Sequence, residues 1–201
     1  MRFIYHAVPS EMVDTILVPL SALAAVSSSA FELQRSKYAQ REAVLEARIT
    51  TSGLRFNETV HCAPLHPHHL YRHRARLDLL PKPSADAATA WTPGRFFEIP
   101  LERIQKHATY WYRWETPWIN GYPGEDVPLT PPIDEFELFD SDRYRELSDV
   151  PSAHAAYLER CKADGRRPLM FVHIPHVLVA GPIETSGLRQ ISWEDAPPAE
   201  D

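Results

Sequence analysis

The sequence predicts a single α+β domain with a small mixed or antiparallel sheet flanked by short helices. Candidate strands and helices follow one another without the regular alternation of a doubly wound sheet. The chain has 201 residues, 44% of them hydrophobic, which is enough for one large domain or two small ones. Nineteen prolines against seven glycines indicate stiff loops and few long helices. We expect one domain over residues 1–193 and a disordered acidic tail over 194–201.

The amino-terminal quarter predicts one strand and two helices. Residues 2–8 form an apolar run with strand composition that ends at Pro9. A helix is predicted over 10–17, because a serine stands at its start and acidic residues in its first turn. A second helix is predicted over 37–49, where apolar residues recur at helical spacing.

The middle of the chain predicts a strand, a helix, a loop and two further strands. Residues 54–63 have strand composition, and a proline suited to a first helical turn begins a predicted helix over 67–80. Proline, alanine and serine dominate 81–94, which we expect to be a loop. Strands are predicted at 96–100 and at 107–115, where side chains alternate in character.

The last third predicts a long loop, one helix and two strands. Residues 116–139 contain five prolines and two glycines, so we expect a mobile loop that could act as a lid. A helix is predicted over 153–164 and should stop at Gly165. Apolar, β-branched composition predicts strands at 168–181 and 188–193.

Composition and missing motifs exclude several classes of protein. A formal net charge of −6 argues against a broad nucleic-acid surface. Cys62 and Cys161 are too far apart for a metal motif, and we expect them to be reduced in a cytoplasmic protein. The sequence lacks GxGxxG and GxxxxGK[ST] motifs, so classical dehydrogenases and P-loop enzymes are not expected. No apolar run reaches the ~18 residues of a membrane span, and we expect no membrane partner.

Histidines concentrate in one segment, HCAPLHPHHLYRH, over residues 61–73. If a helix begins in this segment, His69 and His73 share a face and could bind one metal ion with His61 or His66. We call His66, His69 and His73 the helix histidines. A solvated basic helix face is the preferred alternative, so no metal site is assigned. A patch that contacts phosphates or nucleic acid is a third interpretation.

Three further histidines lie in predicted strands near the two ends of the chain. His6 is either a structural histidine that bonds a backbone group or a polar group aimed into a cleft. His173 and His176 flank Pro175, which favours an edge strand or a bulge that could turn either ring toward a site. The aromatic residues of 110–118 could stack a base or a nicotinamide, although core packing is the commoner role.

Two terminal segments resemble the ADP-ribosyltransferase superfamily, which includes RNA 2′-phosphotransferases and DNA-modifying toxins. FIYHAVPSEMVDTILVPLSAL, residues 3–23, resembles the first strand and helix of these proteins, and HIPHVLVAGPIETSGLRQISW, residues 173–193, resembles the last strands of the toxins. The resemblance implies a transferase of ADP-ribosyltransferase-like fold with NAD as cofactor. The chain is also similar to uncharacterised bacterial proteins that share its Tyr-His opening, KYxxRE segment and RPL…PHVL…G.I ending.

The resemblance also implies roles for particular residues. In the superfamily, the first-strand histidine holds the nicotinamide ribose, and an arginine or tyrosine near the second helix contacts the cofactor. A late acidic residue stabilises the oxocarbenium-like transition state. Here His176 stands at that late position, so either Glu184 or Glu42 supplies the negative charge or the chain binds a nucleotide without transferring any group. The catalytic candidates are therefore His6, His176 and Glu184, and the cofactor-binding candidates are His6, Tyr38, Arg41 and His173.

Three functions stay open on the sequence alone. An ADP-ribosyltransferase-like protein would bind NAD or a related nucleotide and transfer ADP-ribose to a macromolecular acceptor. A metal-dependent hydrolase or nuclease would use the helix histidines. A non-catalytic interaction or immunity protein would bind a basic protein partner through its acidic surface and tail.

Overall fold

A computed structural model describes residues 2–49, 53–81 and 91–198, apart from the side chain of Trp91. Most of the loop predicted at 81–94 and the end of the predicted tail lie outside these ranges. The described helices are α1 (Leu20–Val26), α2 (Ser28–Arg35), α3 (Pro67–Arg76) and α4 (Ser152–Ala163). The described strands are β1 (Phe3–Pro9), β2 (Ile16–Leu17), β3 (Val60–Cys62), β4 (Trp91–Pro100), β5 (Thr109–Tyr112), β6 (Phe136–Leu138), β7 (His176–Val179), β8 (Ile183–Glu184) and β9 (Arg189–Ser192).

The strands form three antiparallel sheets. One sheet has the order β1-β4-β9, a second has the order β3-β7-β5-β6, and β2 pairs with β8. The two larger sheets meet where Tyr5 and Ala63 exchange backbone hydrogen bonds of 2.9 and 2.8 Å. The predicted α+β class is thereby confirmed, but the described strands form three sheets rather than the one small sheet that was expected. None of the described helices has the length and apolar character needed to cross a membrane.

Strand β7 occupies the middle of the core. All four of its residues are buried, because it pairs with β3 on one side and β5 on the other and has both faces covered. Leu178 packs into one apolar cluster with Trp118 and Tyr112. Val177, on the opposite face, packs into a second cluster with Ile4. The strand therefore places His176, its first residue, on the face of Leu178, where its ring centre lies 6.2 Å from that of Tyr112.

Two predicted helices are wrong. The segment predicted as a helix over 10–17 has Asp14 at a φ of 52°, and its end forms β2, which pairs with β8. The segment predicted over 37–49 divides into 3₁₀ turns, interrupted at Gln40 with a φ of 68°. Long-range pairing and backbone breaks thus override local helical spacing in both places. The helices predicted at 67 and 153 are confirmed as α3 and α4.

The long segment over 116–139 is irregular along most of its length, as predicted, but it is not outside the fold. Trp118 is fully buried in the core. Glu135 is also buried, and its carboxylate accepts backbone N–H bonds from Glu115 and Thr116 at 3.0 and 2.8 Å. Mobility of this segment stays a prediction.

Candidate functional site

A large cavity opens beside β1, β3 and β7, and we call it the central cavity. The space free of protein atoms, counted out through the open mouth into solvent, is about 1320 Å³. Four of the six candidate site residues line it: His6, Tyr38, Arg41 and His176. His6 lies on β1 and His176 on β7. Tyr38 ends the 3₁₀ turn Ser36–Tyr38, and Arg41 directly precedes the 3₁₀ turn Glu42–Glu46.

His6 reaches the cavity because side chains alternate along β1. It shares a strand face with Ile4 and Val8, which are buried in the second apolar cluster. The Nδ1 atom of His6 is buried and makes no well-formed hydrogen bond with the described part of the chain. Burial and the nearby charge of Lys37 lower the pKa of His6 to about 4. The ring is therefore neutral at pH 7.

Two more neutral histidines line the cavity beside His6. The Nδ1–H of His176 donates to the carbonyl of Ile174 at 2.7 Å, and the Nε2–H of His61 donates to the carbonyl of Phe56 at 2.8 Å. The two rings are perpendicular, with centres 6.0 Å apart. Burial lowers the pKa of His176 to about 4 and that of His61 to about 3. Each ring therefore keeps one unprotonated nitrogen as a hydrogen-bond acceptor.

Arg41 and Lys37 bring positive charge into the cavity. The Arg41 guanidinium donates to the side-chain oxygen of Asn120 at 2.5 Å, to its backbone oxygen, and to the carbonyl of Lys37 at 2.5 Å. It lies 5.1 Å from the ring centre of Tyr38, and no ion pair between described residues includes it. Burial and the charge of Arg41 lower the pKa of Lys37 to about 8. Burial also raises the pKa of the Tyr38 hydroxyl.

Carboxylates are scarce around these groups. Glu11 is the one carboxylate among the described residues that line the central cavity, and it is exposed. The candidate Glu184 is not part of that lining. It lies on β8, where its carboxylate accepts hydrogen bonds from the Thr15 hydroxyl at 2.8 Å and from the Ser186 backbone at 3.1 Å. These bonds, that of Thr15 first, lower the pKa of Glu184. Glu42 also lies outside the described lining.

His173 lies apart from His176, outside the described lining of the central cavity. It has a φ of 57°, and the strand predicted over 168–181 is regular only in β7. Its Nδ1–H donates to the carbonyl of Trp114 at 3.1 Å, and its Nε2 accepts from the Tyr122 hydroxyl at 2.7 Å. Both ring nitrogens are therefore used within the protein, and His173 joins the chain before β7 to the segment over 114–122.

Two of the helix histidines, His69 and His73, lie beside a carboxylate. Asp149 Oδ1 lies 3.5 Å from His69 Nδ1 and 3.1 Å from His73 Nε2. The Nδ1 of His66 instead accepts the backbone N–H of His68 at 3.3 Å and caps α3. Within residues 2–49, 53–81 and 91–198, no group of three or more His, Cys, Asp or Glu side chains could hold a metal ion. The arrangement holds α3 against the chain before α4.

The aromatic residues of 110–118 are divided between core and cavity. Tyr112 and Trp118 are fully buried in the core. Trp114, at a φ of 52°, lines the central cavity, and its ring centre lies 5.1 Å from that of His176. The Trp114 ring is 4% exposed and also stacks on Tyr112 at 5.5 Å, so most of it belongs to the core.

Lys37, His61 and Asn120 are among the polar residues of the cavity that sequence reasoning did not assign to it. Lys37 directly precedes the candidate Tyr38. His61 stands between two apolar residues of a short strand, Val-His-Cys, a pattern like that of His6, but the histidine spacing points only to a role as a metal ligand. Nothing in the sequence around Asn120 signals its contact with Arg41.

The chain was compared with protein-family models, curated proteins and solved structures, and none of them matches. The resemblance to ADP-ribosyltransferases therefore stands on the two terminal segments. A functional assignment has to be argued from the geometry and chemistry of the central cavity.

Proposed function

We propose that the central cavity binds NAD or a related nucleotide, and that the fold is a variant of the ADP-ribosyltransferase fold. One observation carries the proposal. His6, Tyr38, Arg41 and His176, which the resemblance selects from both ends of the chain, line the same cavity. Residues that are so distant in sequence come together only where the fold places them, so their meeting in one cavity is a specific feature.

The chemistry of the lining suits each part of such a ligand. Lys37 and Arg41 supply the positive charge that phosphate groups require. The neutral rings of His6, His61 and His176 offer acceptor nitrogens to the hydroxyl groups of a ribose. The partly exposed ring of Tyr38 is the aromatic group on which a base or a nicotinamide would stack.

The proposal extends to binding and assigns no residue to a transfer step. Transfer of ADP-ribose develops positive charge on the ribose, which an anionic group would stabilise. His176 is neutral, and Glu184 faces Thr15 rather than the cavity. Glu11, the one carboxylate in the described lining, stands at an exposed position.

Isothermal titration calorimetry with NAD tests the binding. We expect saturable binding to the wild-type protein, and an affinity at least about tenfold weaker for His6→Ala, since a ribose contact is lost. His68→Ala is the matched control, because His68 lies outside the cavity and bonds the carbonyl of Trp193. If wild-type protein does not bind at millimolar NAD, or if the two variants bind equally well, the proposal fails.

Incubation with NAD labelled in its ADP-ribose part tests transfer separately. Label that appears on protein, DNA or RNA with wild-type protein, and disappears with His6→Ala, would extend the proposal to an ADP-ribosyltransferase. Binding without any transfer of label would limit the function to nucleotide recognition.

A further inference from the structure

Arg74 is a buried cation whose role the central cavity does not explain. It lies on α3 and is only 3% exposed. Its Nη2 donates to the carbonyls of Leu169 at 2.9 Å and Pro168 at 3.4 Å. Its Nε is buried and has no hydrogen-bond partner in the described part of the chain. Burial lowers the pKa of Arg74 to about 10, so the guanidinium stays charged at pH 7.

No ion pair between described residues includes Arg74. Removal of a guanidinium from water costs several kcal/mol unless a counter-charge and a full set of hydrogen bonds compensate. Carbonyl oxygens satisfy one of its nitrogens and supply only partial negative charge. The guanidinium charge of Arg74 and its Nε–H donor are therefore left for an anion to satisfy.

Arg74 faces a second cavity, which we call the arginine pocket. The space free of protein atoms, counted out into the surrounding solvent, is about 920 Å³. Besides Arg74, the pocket is lined by the charged side chains of Asp78, Lys162, Arg166 and Arg167. The described lining therefore contains four cationic side chains and one carboxylate. Leucine and proline side chains form apolar parts of the wall.

Two of the pocket cations already have partners. Lys162 lies 3.8 Å from the Asp78 carboxylate. Arg166 lies 2.7 Å from Glu125 and 3.1 Å from Asp164. Arg167 takes part in no ion pair between described residues, and its charge is close enough to lower the pKa of Arg74. Arg74 and Arg167 are thus the two cations left for a ligand.

We propose that the arginine pocket binds a phosphate group, either as free phosphate or as part of a small phosphorylated molecule. Guanidinium groups donate paired, charge-assisted hydrogen bonds to phosphate oxygens. The exposed Arg167 would attract the anion, and the buried Arg74 would hold it where water is scarce. The open mouth and the apolar wall of leucine and proline side chains would accept an organic group attached to the phosphate. This site is separate from the central cavity and does not depend on nucleotide binding there.

Calorimetric titration with inorganic phosphate and with phenyl phosphate, at constant ionic strength, tests the proposal. We expect saturable binding, weakened at least about tenfold in Arg167→Ala and in Arg74→Met because charge-assisted bonds are lost. Arg76→Ala is the matched control, since Arg76 is exposed on the same helix and outside the described pocket lining. Phosphate binding that is lost in Lys37→Gln but kept in Arg167→Ala would place the anion in the central cavity and overturn the proposal.

The outcomes separate the sources of the phosphate. Tighter binding of phenyl phosphate would identify a phosphorylated small molecule as the ligand, and equal binding would identify the phosphate group alone. If Arg74→Met does not fold, Arg167→Ala decides, because its side chain is at the exposed rim. Absence of binding at about 10 mM of either compound would overturn the proposal, because a specific phosphate site should bind more tightly than that. Binding that persists in Arg167→Ala would overturn it as well.

Discussion

Acidification should destabilise this protein, because its cavity histidines are buried in the neutral form. His176 is 5% exposed and gives one N–H to the carbonyl of Ile174. Burial lowers its pKa from 6.5 to about 4. As the pH falls from 6.5 toward 4, the unfolded chain binds a proton that the folded protein excludes. Stability from this group is therefore complete above pH 6.5 and is lost as the pH falls.

The size of the effect follows from the two pKa values. At pH 5, the imidazole is almost fully protonated in the unfolded chain and almost fully neutral in the folded protein. The difference destabilises the folded state by about 2 kcal/mol for one histidine. His6 and His61 act in the same direction, since burial lowers their pKa as well.

Urea denaturation at pH 7 and at pH 5, followed by tryptophan fluorescence, measures the loss of unfolding free energy. His176→Gln removes one titrating group, so the variant should lose about 2 kcal/mol less than the wild type between these pH values. His68→Gln, outside the central cavity, serves as control and should behave as the wild type. Equal losses in His176→Gln and the wild type would refute the conclusion that the cavity holds a neutral imidazole.

Three further predictions concern packing and metal content. Gly94→Ala should lower the melting temperature more than Gly124→Ala. Both glycines have positive φ, so both substitutions strain the backbone. A Cβ at Gly94 would also lie 2.8 Å from the Trp193 ring nitrogen, whereas a Cβ at Gly124 would meet nothing within 4 Å. Equal melting temperatures would contradict this clash. Leu158→Ala, at a fully buried position, should cost about 2–5 kcal/mol of unfolding free energy in urea, and a loss below about 1 kcal/mol would show a looser core. Elemental analysis of tag-free protein should find no stoichiometric transition metal, because only His69 and His73 lie beside Asp149 and no cluster in the described part of the chain could hold a metal ion. One equivalent of metal that is lost with His73→Ala would contradict this.

The elements that sequence patterns predicted correctly are those with strong local signals. Helix α3 begins at Pro67, whose fixed φ and missing N–H suit a first turn. Helix α4 ends at Ala163, and Gly165 follows at a φ of 65°. β1 is an apolar run that ends at Pro9. In each case, neighbouring residues suffice to determine the boundary.

The elements that were missed depend on distant partners. Leu17 pairs with Ile183, so the segment predicted as a helix over 10–17 ends as a strand. No local pattern shows that these residues meet. Gln40 adopts a positive φ inside a segment with good helical spacing, and nothing in its neighbours requires this. Hydrophobic periodicity alone therefore misassigned both segments.

The residues of the candidate site could be predicted only in part from the sequence. Four of the residues that the resemblance selected line the central cavity: His6, Tyr38, Arg41 and His176. The resemblance also selected Glu184, which lies outside the described lining and bonds Thr15 instead. The contact between Arg41 and a distant asparagine exists only in the folded chain. Motif similarity finds residue types at matching positions, whereas their convergence depends on strand pairing across the whole domain.

An NMR titration with NAD, which follows the imidazole protons of the assigned histidines, tests the central claim most directly. Proximity to a bound nucleotide should shift the signals of His6, His61 and His176 and leave those of His68 unchanged. Shifts confined to the helix histidines, or no shift at saturating NAD, would contradict nucleotide binding in the central cavity.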